Sequence, residues 1–90
     1  MRFEYDQVKS NANLEKHGIN FEEGQRLWGD RNYIQFLLRC RSEERHGVLA
    51  RYGGSVWLAV ITYRGSRTRI ISIRKATAKE VSIYDKANNR

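Results

Sequence analysis

SVWLAVITYRGSRTRIISIRKATAKE, residues 55–80, reads as a strand, a turn, a second strand and the first turn of a helix. SVWLAVITY (55–63) is apolar on both faces, the pattern of a strand covered from both sides at the centre of a sheet. Arg64-Gly65-Ser66 supplies a turn, and RTRIISIRK (67–75) is the next strand. Thr77-Ala78-Lys79-Glu80 has the spacing of a capping box, in which the threonine and glutamate side chains each satisfy a backbone N–H at a helix start. A C-terminal helix follows, with Val81 and Tyr84 on its inner side. In strict alternation Thr68, Ile70, Ser72 and Arg74 share one face of the 67–75 strand, while Arg67, Arg69, Ile71, Ile73 and Lys75 share the other. Arg69 and Arg74 can then serve one site only if a bulge shifts the register. With Ile71 and Ile73 inward, Arg74 and Ser72 lie on the open side.

Moving upstream, Gly53-Gly54 is a hairpin turn signal that joins this strand to RHGVLARY (45–52). SEER (42–45) connects that strand to NYIQFLLRCR (32–41). There Ile34, Phe36, Leu38 and Cys40 alternate with Tyr33, Gln35, Leu37, Arg39 and Arg41. At the other end, Arg2–Tyr5 reads as a short edge strand. Asp6 caps a helix over 7–17, whose apolar contacts are Val8, Ala12 and Leu14 and whose C-cap is Gly18. Asn20-Phe21-Glu22-Glu23 opens a second short helix presenting Phe21, Leu27 and Trp28, with Gly24 as an unfavourable interior residue. The expected architecture is a single α+β domain over 1–90. It has an antiparallel four-stranded meander, a short N-terminal strand, two N-terminal helices and a C-terminal helix, with helices on one face of the sheet.

Composition narrows the function. The absence of proline and a hydrophobic share of 40% exclude disordered and collagen-like chains. A lone Cys40 cannot form an internal disulfide, which points to a reducing compartment, and a strand interior suits it as a small apolar residue. The N-terminus has no apolar signal region, and the longest apolar run, VWLAVI, is too short to span a bilayer. A cytoplasmic protein without membrane association is expected. Two histidines and one cysteine, without metal-ligand spacing, exclude a structural zinc site, and the basic segment holds only Glu43 and Glu44 as acids. No glycine-rich phosphate loop is present. No metal or other cofactor is expected.

Charge is distributed unevenly. Residues 1–30 carry four basic and six acidic side chains, a net of −2, whereas residues 31–75 carry ten basic and two acidic ones, a net of +8. Nine of those ten cations are arginine, whose planar fork suits phosphate. Such a segment is the footprint of a polyanion partner, above all nucleic acid. RNA carries its own nucleophile, the 2′-hydroxyl, so cutting it needs a base, an acid and cations for the phosphorane, and no metal. Arginines on a strand can supply the cations. Glu44 is a candidate base; Tyr84, His17 and His46 are candidate acids.

Three stretches resemble the BrnT-like toxins of bacterial type II toxin–antitoxin systems. They are F-E-Y-D-x-x-K-x-x-x-N-x-x-K-H-G-I-x-F-E-E (3–23), E-E-R (43–45), and R-I-I-S-x-R-K-A (69–76) followed by Glu80 and Tyr84. The resemblance covers nearly the whole chain, in the family's order, and implies a RelE-like fold and an RNA-cleaving toxin that arrests translation. It also implies a cognate antitoxin with a ribbon-helix-helix DNA-binding part, through which alone the complex would reach operator DNA. Carried over by position, Glu44 and Arg45 match the family's E-R pair, and Arg69, Ser72 and Arg74 match its last strand. Lys16 and His17 match the K-H-G that ends the first helix, and Tyr84 the tyrosine of the last helix. The resulting catalytic candidates are Arg74, Glu44, Arg45, His17 and Tyr84; the RNA-binding candidates are Lys16, Arg69, Ser72 and Lys75. Three features depart from the pattern: Tyr5 where tryptophan is commoner, Gly24 where alanine is expected, and HGVLARYGGS (46–55), less hydrophobic than its counterpart. Two other readings of the charge are a basic nucleic-acid- or ribosome-binding module without catalysis, and a basic face that only holds an acidic protein.

Overall fold

The structure is a computed structural model that describes residues 1–38 and 42–89. Its elements are β1 (Arg2–Glu4), α1 (Gln7–His17), a 3-10 helix (Glu23–Gly29), β2 (Ile34–Leu38), β3 (Arg45–Tyr52), β4 (Ser55–Arg64), β5 (Arg67–Lys75) and α2 (Ala78–Asn88). The expected strand positions of Arg39, Cys40 and Arg41 lie outside the described residues.

One mixed sheet runs in the order β1-β5-β4-β3-β2. β2 to β5 form the antiparallel meander that the alternation implies, and Gly53 and Gly54, both at positive φ, turn β3 into β4. β1 makes the sheet five-stranded and mixed rather than a four-stranded antiparallel one, because it pairs parallel with β5, Phe3 beside Thr68. Alternation over three residues marks a strand but carries neither its direction nor its partner. Phe3 anchors it by packing edge-on to Trp28, ring centroids 4.8 Å apart.

β4 is central and covered on both sides, so the helices do not share one face. On the first face Trp57, Ala59 and Ile61 pack with Val48, Ala50, Ile70 and Ile73 beneath Ile19, Phe21 and Leu27. On the second, Leu49, Val56 and Leu58 pack beneath Tyr84 and Val81 of α2. The expectation of helices on one face fails because a strand apolar on both sides requires cover on both.

The ends of α1 are as read: Asp6 accepts from the Val8 and Lys9 amides, and Gly18 closes the helix at φ 82°. Its docking surface is different. Val8 and Leu14 are 75% and 46% exposed, whereas Ser10 and Asn13 are buried. β1 pairs only with residues 67–69, which leaves the outer edge of β5 beyond them in need of partners. Asn13 Nδ2 donates to the carbonyls of Ile73 (2.9 Å) and Ile19 (2.8 Å), and its Oδ1 accepts from the Ile73 amide (3.2 Å). Ser10 Oγ accepts from the Phe21 amide at 2.9 Å. A helix that caps a sheet edge needs a polar inner stripe, which a search for apolar spacing passes over.

The second N-terminal helix is a 3-10 helix starting at Glu23, not an α-helix opened at Asn20. Asn20 does accept from the Glu23 amide (2.7 Å), half of the expected box. Gly24 serves close packing: a Cβ there would lie 2.1 Å from Ile73 Cδ1. Gly47 has the same use on the second face, where a Cβ would meet the Phe36 ring at 2.6 Å. At Gly47, the reduced hydrophobicity of the β3 segment thus reflects an aromatic ring laid across its backbone from β2.

Candidate functional site

A β-bulge decides which side chains meet. Val60 pairs with Ser72 and Ile61 with Ile70, so Ile71 is an extra residue in β5 and the alternation reverses across it. Arg74 is opposite Leu58, Ser72 opposite Val60, Arg69 opposite Thr62 and Arg67 opposite Arg64. All four therefore project from the second face, while Thr68, Ile70, Ile73 and Lys75 accompany the first. Strict alternation, which separates Arg69 from Arg74 and sets Arg67 opposite Arg74, is corrected by this one inserted residue.

Phe36, Gly47, Val60 and Ser72 make a row across the second face that α2 leaves partly open. Arg45, Thr62 and Arg69 border the row toward the sheet's end. On the opposite border stand Leu58, Arg74 and the N-terminus of α2. The result is a sheet surface with an apolar floor between two cationic margins.

Arg74 is tied down. Its Nη1 donates to Glu80 Oε1 (2.8 Å) and its Nη2 to Glu80 Oε2 (3.0 Å), and Nη1 also donates to the Lys75 carbonyl (3.2 Å). Glu80 closes the capping box of α2, accepting from the Thr77 amide while Thr77 Oγ1 accepts from the Glu80 amide. The hydrogen bond from Arg74 outweighs partial burial and holds the Glu80 carboxyl at about 2; the same pairing raises the Arg74 guanidinium further. A carboxyl depressed by folding adds stability above its ordinary value of 4.5, and that contribution fades as pH falls toward 2. Partial exposure of Arg74 trims it. Urea midpoints of the parent and Glu80→Gln should therefore differ most at neutral pH and converge between pH 4.5 and about 2. A constant difference across that window would show that Glu80 contributes through shape alone.

Arg69 is held by Glu4 of β1 at 3.1 Å, with Arg67 on the same carboxylate at 3.6 Å. Arg45 meets Glu43 at 3.4 Å, and its Nε is buried without a hydrogen-bond partner. The Glu44 carbonyl accepts from Thr62 Oγ1 (2.8 Å), while its exposed carboxylate lies 3.9 Å from His46 Nε2. His46 itself is on the first face beside Tyr63. Lys16 and His17 end α1 and line a cleft of about 220 Å³ with Ile71 and Ser72, at the margin of the second face.

Tyr84 stands apart from this group. Its hydroxyl donates to Asp30 Oδ2 at 2.5 Å, and Arg51 lies over its ring. Burial, and then that hydrogen bond, push the Tyr84 phenol up. Burial alone would raise Asp30, but N–H groups of Arg51 and Asn32 and the Tyr84 hydroxyl hold its carboxyl below the usual range. Lys75 lies on the first face with its Nζ 5.8 Å from the Trp57 ring centroid. The second face thus gathers Arg45, Arg69, Ser72 and Arg74; Lys16, His17 and Glu44 lie at its borders; Tyr84 packs from α2 onto the covered part of that face, turned to Asp30, and Lys75 is on the first face. Sequence reasoning missed Glu4 and Glu80 as arginine partners. Glu80 had a signal, since the capping box fixed its place one turn from the end of β5. Among the described residues, no three His, Cys, Asp or Glu side chains converge as metal ligands.

A family model described as ribonuclease toxin, BrnT, of type II toxin–antitoxin system matches residues 5–80. No curated protein matches the chain.

Proposed function

The chain belongs to the BrnT family of ribonuclease toxins of type II toxin–antitoxin systems, and on that premise we propose that it is a RelE-like, metal-independent endoribonuclease that arrests translation. The observation that carries this reading is the bulge at Ile71, which sets Arg69, Ser72 and Arg74 on the same partly open face as Arg45. In the proposed reaction a base takes the proton of the 2′-hydroxyl, and O2′ forms a bond to phosphorus. The P–O5′ bond breaks, and an acid protonates the departing O5′. The products are a 2′,3′-cyclic phosphate and a 5′-hydroxyl. Arg74, Arg69 and Arg45 offset the charge that builds on the phosphorane. Glu44 is the candidate base. Of the candidate acids, His17 borders Ser72, whereas the Tyr84 hydroxyl is engaged by Asp30. Ser72 and Lys16 hold the strand.

The type II assignment brings an antitoxin partner. We take it to carry a ribbon-helix-helix part that alone touches operator DNA, and we take the pair to act in the bacterial cytoplasm. No helix among the described residues is long and apolar enough to cross a membrane.

Purified protein should cut a mixed-sequence RNA transcript in excess EDTA, leave cyclic phosphate ends, and spare DNA of the same sequence, which lacks the nucleophile. Loss of cleavage in EDTA with recovery in magnesium would overturn the metal-independent route and leave the family assignment standing. Binding without any cleavage would favour a non-catalytic RNA-binding module.

A further inference from the structure

Glu80 has no assigned part in RNA cleavage, yet its carboxylate occupies one whole edge of the Arg74 guanidinium. We infer that Glu80 is a positioning residue for the reaction: it holds Arg74 so that the other edge, Nε–H with the outer Nη2–H, faces the scissile phosphate. This rests on the reading of Arg74 given above.

The five N–H groups of a guanidinium can be accounted for one by one. Nη1 spends both on Glu80 Oε1 and the Lys75 carbonyl, and Nη2 spends one on Glu80 Oε2. The second Nη2–H and Nε–H have no partner among the described residues. These two lie side by side, in the parallel geometry that matches two oxygens of a phosphate. Glu80 is in turn fixed by the helix cap: its Oε1 accepts from the Thr77 amide at 2.8 Å, and its own amide donates to Thr77 Oγ1 at 3.2 Å. A long, flexible side chain on β5 is thereby clamped by the first turn of α2. The Lys75 carbonyl prevents rotation about the shared edge. No rotamer entropy then has to be lost when the phosphate arrives, which is the benefit of a group ordered before reaction.

Glu80→Gln separates this role from helix capping. The glutamine carbonyl can still accept from the Thr77 amide, as capping boxes allow. Its NH₂ group would instead face the Nη2 donor and break the two-point clamp. In single-turnover cleavage of a mixed-sequence RNA transcript at saturating protein, Glu80→Gln should be slower by roughly tenfold to a hundredfold, the usual cost of misplacing a reacting group by about an ångström. The protein concentration for half-saturation should change by less than about threefold, because the charge of Arg74 remains. In the Arg74→Ala background, Glu80→Gln should cause no further loss, since it acts only through that arginine. Arg74→Lys, which keeps the charge but has no fork, should be nearly as slow as Arg74→Ala. Parental cleavage by a folded Glu80→Gln, an equal further loss in the Arg74→Ala background, or parental cleavage by Arg74→Lys would each overturn the inference. If Arg74→Ala loses cleavage while Glu80→Gln does not, only the role of Glu80 fails. If Arg74→Ala cleaves at the parental rate, the reading of Arg74 fails and this inference with it.

Discussion

Arg74→Ala is expected to stay folded, to bind RNA within about tenfold of the parent, and to cleave it more slowly by about 10²–10³. The split between binding and cleavage separates two uses of a cation. A cation that only attracts RNA weakens binding at every sequence and lowers the salt dependence by about one phosphate contact. One that meets charge as it develops in the phosphorane leaves binding nearly intact and lowers the chemical step. Arg67→Ala is a poor control, since the bulge returns Arg67 to the same face. Arg26→Ala is better: Arg26 is exposed on the 3-10 helix, beside Glu22, Glu23 and Tyr52 on the other side of the sheet. It should cleave almost normally. Both variants are compared at saturating protein, after circular dichroism shows them folded. An Arg74→Ala protein that cuts at the parental rate would reduce Arg74 to a docking charge.

The largest loss of stability is expected from Asn13→Leu. The leucine has nearly the same shape, but the Ile73 amide and the carbonyls of Ile73 and Ile19 lose their common partner in a buried place. At about 1–3 kcal/mol for each buried polar group left unpaired, partly relieved by local relaxation, the total should reach roughly 3 kcal/mol or more. For a domain of this size that corresponds to a fall in Tm of very roughly 10–20 °C. Val8→Ala, on the exposed side of α1, should stay within about 0.5 kcal/mol of the parent. Urea denaturation reads both. An Asn13→Leu protein less than about 1 kcal/mol below the parent would mean that water replaces the lost bonds and that the edge is less sealed than it looks.

Most of the strand layout was legible because β2 and β5 carry alternation, β4 is a continuous apolar run, and turn glycines and a capping box mark the ends, all of which act through neighbours in sequence. What was not legible depends on contacts far along the chain. The partner of β1 is 65 positions away at Arg67, and Asn13 meets Ile73 across 60. A helix read for apolar spacing gives Val8 and Leu14, whereas the sheet edge it covers selects Ser10 and Asn13. A bulge is the one condition that brings Arg69 and Arg74 together, but RIIS reads equally well with and without it. What favours the bulge is a requirement of β4: Ile61 and Ala59 need Ile70 and Ile73 beside them in the core, and those two sit an odd number of residues apart. Gly24 looked like a weak point in a helix and proved to be the space that Ile73 fills. The candidate site was visible as a list of cations. Of the acids that hold them, Glu4 was hidden because a pairing between strands leaves no periodic trace, whereas the capping box placed Glu80 without naming its arginine.

The parallel pairing of β1 with β5 also orders events in time. β1 has no place to dock until β5 is available, and α1 waits for the same strand through Asn13. The β2–β4 hairpins can form from local contacts, whereas closing the loop between the first and fifth strands costs entropy that only late contacts recover. The arginines of β5 therefore stand on an incomplete sheet until β1 has docked beside them. The arginine-bearing strand is thus also the one on which the N-terminal elements depend for their place.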